Sequence, residues 1–372
     1  MRHPAALRSV LVGVILGSLT LAGCGDVGTD AADNSAYRVE RRSDGAVETV
    51  RTVAGSQWEG TASLVEDLAI GDEFGETPYL FGFLSAAWAA GERIYVVDSQ
   101  VPAVRVFDTG GQYLFDIGRP GQGPGEYGSP GGVAVTNDGR VLVADATGAR
   151  INVYDAAGTL LEDWALSSQK SALGLTLNDD GEAYVQGWSI PQERMGMQVA
   201  GPDGLVGAFI FPPTMPFDPP VVDVGNGTSM VVPFAPRYTW AFAPAGEMVA
   251  GIGDAYRFEI HRPDGDVLAV ERAAEAAPVA PAEAAFRADL ANGSLRMMAP
   301  DARLSAADVP RHKPAYAALF PDRAGRVWVI RPGPGREDPQ CIDADAAAAP
   351  TLLMSTPAGA RFSIGEIGRA HV

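Results

Sequence analysis

The chain has few of the residues that form disulfides or histidine metal sites. It contains two cysteines, Cys24 and Cys341, and four histidines among 372 residues. If Cys24 is consumed by the processing described below, Cys341 has no partner and no internal disulfide can form. Two of the histidines lie at the chain ends, so only His261 and His312 remain inside, too few for a histidine-rich zinc site.

Motifs for catalysis and nucleotide binding are also missing. There is no G-x-S-x-G sequence, and the glycine-rich stretch Gly118–Gly131 lacks the helix and the Lys-Ser/Thr pair of a phosphate-binding loop. Lysine occurs only twice, and the net charge is −18. Because so acidic a surface repels phosphate backbones, we expect no nucleic acid partner.

The amino terminus has the pattern of an export signal. Two arginines precede an apolar core from Val10 to Leu21, which is shorter than the roughly 20 residues of a membrane span. Leu21-Ala22-Gly23-Cys24 resembles a bacterial lipobox, in which cleavage precedes the cysteine and its thiol carries diacylglycerol. We predict a lipoprotein signal peptide over residues 1–23 and lipidation of Cys24. An ordinary secretion signal with an incidental cysteine is the alternative.

Residues 24–38 are small, polar and acidic, which predicts a flexible tether. Gly25 rather than Asp follows the cysteine, so we expect a protein transported across the inner membrane and held by lipid on the periplasmic side or at the outer membrane. The expected partners are the membrane, through the anchor, and an unknown protein, peptide or glycan. The chain is expected to be a monomer.

Strand-like runs recur along the chain with a period of 47 residues. This spacing separates Asp98 from Asp145 and the turn glycine Gly111 from Gly158. One unit, Ile117–Trp164, contains four apolar runs separated by turn signals, which predicts four antiparallel strands. A period of this length with only strand-like segments indicates propeller blades or a solenoid.

Several motifs within these repeats carry a family resemblance: Ile117–Tyr127 (IGRPGQGPGEY), Val143-Ala144-Asp145, Arg150-Ile151, Val153-Tyr154-Asp155 and Gly325–Val329. In these motifs the chain resembles bacterial six-bladed β-propeller proteins related to NHL repeats, over about residues 60–365. The resemblance implies an all-β fold, a six-bladed β-propeller with four-stranded antiparallel blades. It implies little about function, because such propellers serve several roles.

We predict that the propeller spans residues 39–365, with blades at residues 83–118, 131–166, 172–210 and roughly 229–271, and a fifth finishing at residues 352–364. A helical insert is expected at about residues 272–310, with Pro281 opening its helix and Asn292-Gly293 closing it. Tyr37–Val53 is predicted to form a leading hairpin. Leu64–Ile70 is expected to complete a blade begun by the carboxyl terminus.

The last residues do not fit this pattern. Glu366–Val372 (EIGRAHV) matches a possible translation of a common sequencing adapter, so we interpret residues 366–372 as an artefact and the last blade as incomplete. A genuine polar tail is the alternative.

Candidate ligand-face residues follow from the repeat. Asp98 and Asp145 end equivalent strands, Gln186 takes this position in the third repeat and Arg331 in the fifth. They could form a polar ring that faces a ligand or cation, but a residue that recurs with the repeat is also explained by a structural role, in which Asp145 pairs with Arg150 and caps a turn.

Three further candidates lie in loops or beside them, where propellers usually bind ligands: Arg119, Glu126 and Trp188. Trp188 is the tryptophan we most expect to be exposed. The sequence predicts no catalytic residue, no metal ligands and no cofactor, although a divalent cation is left open. A ligand-binding or scaffold propeller is therefore the favoured function, and a metal-dependent hydrolase or lactonase at the channel mouth is the alternative.

Overall fold

The structure is a computed structural model that describes residues 36–55, 68–72, 74–166, 174–225 and 227–333, together with the backbone of residues 351–355. The predicted signal peptide, Cys24, most of the predicted tether and residues 366–372 lie outside these ranges. Among the described residues, no helix is both long and apolar enough to cross a membrane.

The described chain begins with the hairpin that the sequence predicted. Strands β1 (Arg38–Asp44) and β2 (Val47–Ala54) pair in antiparallel fashion around Gly45. Gly45 has a φ of 60°, a backbone conformation that glycine adopts without steric cost.

Three antiparallel sheets of four consecutive strands follow. The first sheet contains β3 (Leu84–Ala90), β4 (Arg93–Asp98), β5 (Ala103–Asp108) and β6 (Tyr113–Ile117). A short parallel pair, β7 (Arg119–Pro120) and β8 (Glu126–Tyr127), leads to the second sheet, which contains β9 (Pro130–Val135), β10 (Val141–Asp145), β11 (Arg150–Tyr154) and β12 (Leu160–Ala165). The third sheet contains β13 (Gly174–Leu177), β14 (Ala183–Ser189), β15 (Arg194–Gly201) and β16 (Gly204–Ile210). These sheets match the first three predicted blades.

The fourth sheet starts later than predicted and has additional strands at its outer edge. Strands β17 (Val221–Gly225) and β18 (Thr228–Val231) form a separate hairpin, so the start predicted at residue 229 is wrong. The fourth sheet itself contains β19 (Tyr238–Phe242), β20 (Met248–Ile252), β21 (Arg257–His261) and β22 (Val267–Arg272). Strand β2 then pairs in parallel with β22, so the leading hairpin extends this sheet to six strands and covers its outer edge.

The predicted insert contains one helix, α1 (Pro281–Met298). Pro281 begins it as predicted, because proline fits the first helical turn. The predicted end at Asn292-Gly293 is wrong. Asn292 lies within the helix, where its side-chain amide donates to the carbonyl of Leu304 and accepts from the same residue's N–H, at 2.8 and 2.9 Å. The amide therefore joins the helix to the following loop.

Strands β23 (Ala318–Pro321), β24 (Val327–Arg331) and β25 (Thr351–Ser355) form the fifth sheet. The strand predicted over Leu64–Ile70 falls mainly on residues outside the described ranges. Its described end, Leu68–Ile70, belongs to no strand and lies near Gly111 in the turn between β5 and β6.

The core lies between neighbouring sheets. Valines of the first and second sheets share one buried cluster: Val97, Val104, Val106, Val133, Val141 and Val143. Burial of a valine side chain stabilises a fold by about 1.5 kcal/mol or more, so the face between these two sheets holds the repeat together.

Candidate functional site

The two repeated aspartates are structural clamps. Asp98 and Asp145 end the second strands of their sheets and are almost fully buried. Asp98 accepts hydrogen bonds from the amides of Gly82 and Phe83, at 2.9 and 3.1 Å. Asp145 accepts from Gly128 and Ser129 in the same way. Each carboxylate thus fixes the chain just before its own sheet begins, a structural role that differs from the Arg150 pairing suggested for Asp145.

Two more amides, from Gln100 and Val101, also donate to the Asp98 carboxylate. Burial acts to raise the pKa of Asp98, but the four amides together hold it below its ordinary value. A buried guanidinium, that of Arg105, lies 3.7 Å from the carboxylate. The carboxylate oxygens of Asp98 already accept hydrogen bonds from four backbone amides. Asp98 is therefore poorly suited to bind a ligand.

The proposed pairing of Asp145 with Arg150 is only a backbone pairing. The guanidinium of Arg150 instead donates to the Asp163 carboxylate at 3.3 Å and to the Gln122 carbonyl at 2.6 Å. The side chain of Arg150 reaches these acceptors because β11 lies beside β12 and near the glycine-rich crossing. That crossing, as the sequence indicated, is a connection between sheets.

The other repeat candidates do not join a polar ring. Gln186 lies inside β14, which continues to Ser189, so it does not end its strand. Arg331 ends β24, and its guanidinium donates to the carbonyls of Ala315 and Glu275. The Arg331 guanidinium is therefore engaged by backbone carbonyls, and Gln186 does not occupy the strand end that Asp98 and Asp145 share.

Arg119 and Glu126 are brought together. Their side chains form two hydrogen bonds of 3.0 and 2.9 Å across the short β7–β8 pair. The second carboxylate oxygen of Glu126 accepts from the amides of Gln122 and Gly123. The Gly123 amide and Arg119 lower the pKa of Glu126. These hydrogen bonds fix the conformation of the glycine-rich crossing. The Arg119 side chain remains mostly exposed.

A cleft lies elsewhere, between the third and fourth sheets. It is an open cleft of about 710 Å³. One side is the turn between β14 and β15, a second is the proline-rich wall (Phe211–Pro220, FPPTMPFDPP), and the third is the start of β19. Its apolar lining includes Met195, Met215, Phe217, Pro219, Val231 and Trp240. Sequence reasoning missed this cleft, although the run of prolines after β16 was a visible signal.

Arg194 holds the proline-rich wall in place. Its guanidinium donates to the carbonyl of Pro212 and to the hydroxyl of Thr214, and it lies 4.8 Å from the ring centre of Phe211. Arginine suits this role because its planar group donates in several directions and stacks on an aromatic face.

Tyr238 ties the same wall to the fourth sheet. Its hydroxyl donates to the carbonyl of Pro213 at 2.6 Å. Burial raises the pKa of Tyr238 to about 12, so the hydroxyl stays protonated and can donate at physiological pH. Two side chains from different sheets therefore fix the cleft before any ligand arrives.

Apolar groups continue beyond the cleft. Trp188 pairs across the strands with Met195 of the lining and is 46% exposed, as the sequence suggested. Ile190 in the adjoining turn is 75% exposed. An apolar cleft with an apolar rim is the usual mark of an interaction surface. Of the predicted candidates, Trp188 is the one that lies beside this cleft.

Metal ligands do not gather in the described part of the chain. Within those residues, no group of three or more His, Cys, Asp or Glu side chains is placed to hold a metal ion. The carboxylates of Asp98 and Asp145, which the sequence suggested as part of a polar ring facing a cation, are engaged by backbone amides.

A family model matches part of the repeated sheets. The model of the DUF5128 family, described as a 6-bladed beta-propeller, matches residues 78–184. The fold is a six-bladed β-propeller. Three of the described sheets are the four-stranded antiparallel blades that the sequence predicted, and the fourth contains four such strands extended by the leading hairpin. The prediction of the fold class is confirmed.

Solved structures with similar folds come from several bacteria. They include a "putative exported protein" of Bacteroides fragilis, with 10% identity and a TM-score of 0.38 over 76% of this chain and 73% of that chain. A DUF4221 family member of Bacteroides vulgatus has 10% identity and a TM-score of 0.39 over 74% and 78%. Virginiamycin B lyase of Staphylococcus aureus has 10% identity and a TM-score of 0.32 over 66% and 76%. No curated protein shows significant similarity to the propeller. Likenesses this distant carry no information on its activity.

Proposed function

We propose that this protein is an exported, lipid-anchored propeller, related to NHL-repeat propellers, that binds a ligand in the cleft between its third and fourth blades. The open apolar cleft of about 710 Å³ carries the proposal. Its volume lies in the range of small-molecule sites, and its walls are fixed by Arg194 and Tyr238. A prearranged cleft spends little binding energy on ordering its side chains.

The cleft offers binding groups rather than reacting ones. Its polar lining consists of Gln192, Glu193, Arg194, Thr214 and Arg237, with the hydroxyl of Tyr238. This set lacks the adjacent nucleophile and base on which covalent catalysis depends. The propeller is therefore proposed as a binding or scaffold module, and the hydrolase alternative gains no support from the cleft.

Substitutions in the cleft should weaken binding of an uncharged apolar probe. We expect Phe217→Ala and Trp240→Ala each to weaken the binding of N-phenyl-1-naphthylamine at least about tenfold, the usual loss when an aromatic anchor is truncated. Fluorescence titration of the full chain measures this affinity. Phe217 stands in the proline-rich wall outside any strand, so this variant tests the site even if Trp240→Ala disturbs the fourth blade.

Leu114→Ala is the matched control. Leu114 is an exposed apolar residue away from the cleft, on β6, the outer strand of the first blade. It should leave the affinity unchanged. Equal affinity of Phe217→Ala, Trp240→Ala and the unaltered chain would show that the cleft is not the binding site.

The anchor is tested separately. Cys24→Ser is expected to abolish incorporation of an alkyne-labelled fatty acid in bacterial cells and to release the protein from the membrane fraction, because the thiol is the proposed attachment point. Labelling of the Cys24→Ser variant at the level of the unaltered chain would refute the anchor. Cys341→Ser, which removes the other cysteine, should leave the labelling intact.

A further inference from the structure

We infer that the cleft selects ligands that carry a carboxylate beside an apolar group, an inference that rests on the proposed function. The net charge of the chain is −18, yet this concavity is lined by two arginines and only one acid, Glu193. A cation-lined cleft in an acidic protein attracts anions locally while the surrounding surface repels them.

The two arginines have different tasks. Arg194 has its donors directed at Pro212 and Thr214, so it supplies charge but few free hydrogen bonds. Arg237 is exposed, and its side chain makes no hydrogen bond or ion pair within the part of the chain that the structure describes. Its guanidinium is therefore available to a ligand.

The backbone holds Arg237 in place. Its carbonyl accepts from the amide of Gly253 at 3.2 Å, Pro236 precedes it, and Tyr238 follows it as the first residue of β19. A free guanidinium on a fixed backbone can bind a carboxylate with two parallel hydrogen bonds. Arg237 thus provides the anion contact of the inferred site.

The apolar lining supplies the rest of the selectivity. Trp240 of β19, Phe217 of the wall and Met195 of β15 line the same cleft as Arg237. A ligand that fills it must therefore place an aromatic or aliphatic body against these side chains and an acid group at the edge. Glu193 opposes this anion, since it lines the same cleft and is exposed. Its removal should strengthen binding.

Two dyes of similar shape test the inference. 1-Anilinonaphthalene-8-sulfonate carries one negative charge, and its sulfonate stands in for a carboxylate, whereas N-phenyl-1-naphthylamine is uncharged. We expect Arg237→Gln to weaken binding of the charged dye about fivefold to tenfold, as expected for loss of a charge-assisted hydrogen bond, and to leave the uncharged dye unaffected. Glu193→Gln should strengthen binding of the charged dye about twofold.

The matched control is Arg38→Gln, which makes the same charge change on the exposed strand β1. It should alter neither affinity. If Arg237→Gln and the unaltered chain bind the charged dye equally, the anion selectivity is refuted while the proposed binding function stands. If Phe217→Ala and Trp240→Ala bind the uncharged dye as tightly as the unaltered chain does, the proposed binding function itself is refuted.

Competition experiments then separate the sources of the carboxylate. Dodecanoate represents a free amphipathic acid, and a short leucine-phenylalanine peptide with a free carboxyl terminus represents a peptide ligand. We expect each acid to displace the charged dye at a lower concentration than its neutral counterpart, dodecyl alcohol or the peptide amide. The acid that competes at the lower concentration identifies the source of the carboxylate. Equal displacement by the acid and its neutral counterpart would overturn the inference.

Discussion

Replacement of Asp98 by alanine is expected to lower the free energy of unfolding by about 3–5 kcal/mol, the range for one partner removed from a buried ion pair. The change leaves the guanidinium of Arg105, which is 3% exposed, without the carboxylate 3.7 Å away. It also removes the acceptor for the amides of Gly82 and Phe83, which fix the entry to the first blade. Urea denaturation of the full chain measures the loss.

Asp108→Ala provides the matched control. The Asp108 carboxylate also accepts from backbone amides, those of Gly110 and Gln112, but it stands in an exposed turn without a buried cation. The expected loss is about 1 kcal/mol, the usual value for one such turn or cap. Equal decreases in the free energy of unfolding for Asp98→Ala and Asp108→Ala would show that neither burial nor Arg105 increases the stabilisation by Asp98.

The same clamp makes stability depend on pH in a defined direction. The pKa of Asp98 is lower in the folded chain than the unfolded value of about 3.9. Its contribution is therefore fully present above about pH 4 and is lost as the pH falls through the folded pKa. Asp98→Ala should unfold with a correspondingly weaker dependence on acid below pH 4.

The clamp also shows why the blades could be predicted from the sequence. Asp98 and Asp145 recur because, in each of the first two blades, the carboxylate accepts hydrogen bonds from the amides that precede the first strand. The turn glycines recur for an equally local reason, since Gly111 and Gly158 both have a positive φ. Features set by a few neighbouring residues leave a periodic trace in the sequence.

Features formed by distant segments left no such trace. Strand β2 adds to the fourth blade by pairing Val47 with Val267. The sequence around either residue contains no signal that predicts pairing with so distant a segment. The cleft has the same origin, because its walls come from β15, the proline-rich wall and β19. The end of α1 was mispredicted because Asn292 makes its hydrogen bonds to Leu304, beyond the helix.

Replacement of Lys313 should lower the free energy of unfolding as much as replacement of Asp98, here by destabilising the region around α1. The ammonium of Lys313 lies 2.7 Å from the carboxylate of Glu283, and both side chains are almost fully buried. The same ammonium lies 5.1 Å from the ring centre of Phe234, where a cation is favoured. Lys313→Met is expected to lower the free energy of unfolding by about 3–5 kcal/mol, because it leaves a buried carboxylate unpaired.

The double variant Glu283→Met with Lys313→Met decides whether the pair stabilises the protein or only compensates for its own burial. Two apolar side chains of similar length would pack beside Ala284 and Ala288 without any charge to desolvate. We expect the double variant to recover most of the loss, measured by urea denaturation and by hydrogen exchange across α1. If it is as unstable as Lys313→Met, the ion pair itself contributes stability that packing cannot replace. If Lys313→Met costs less than about 1 kcal/mol, the value of an exposed pair, then water reaches Glu283 and the pair is not buried in solution.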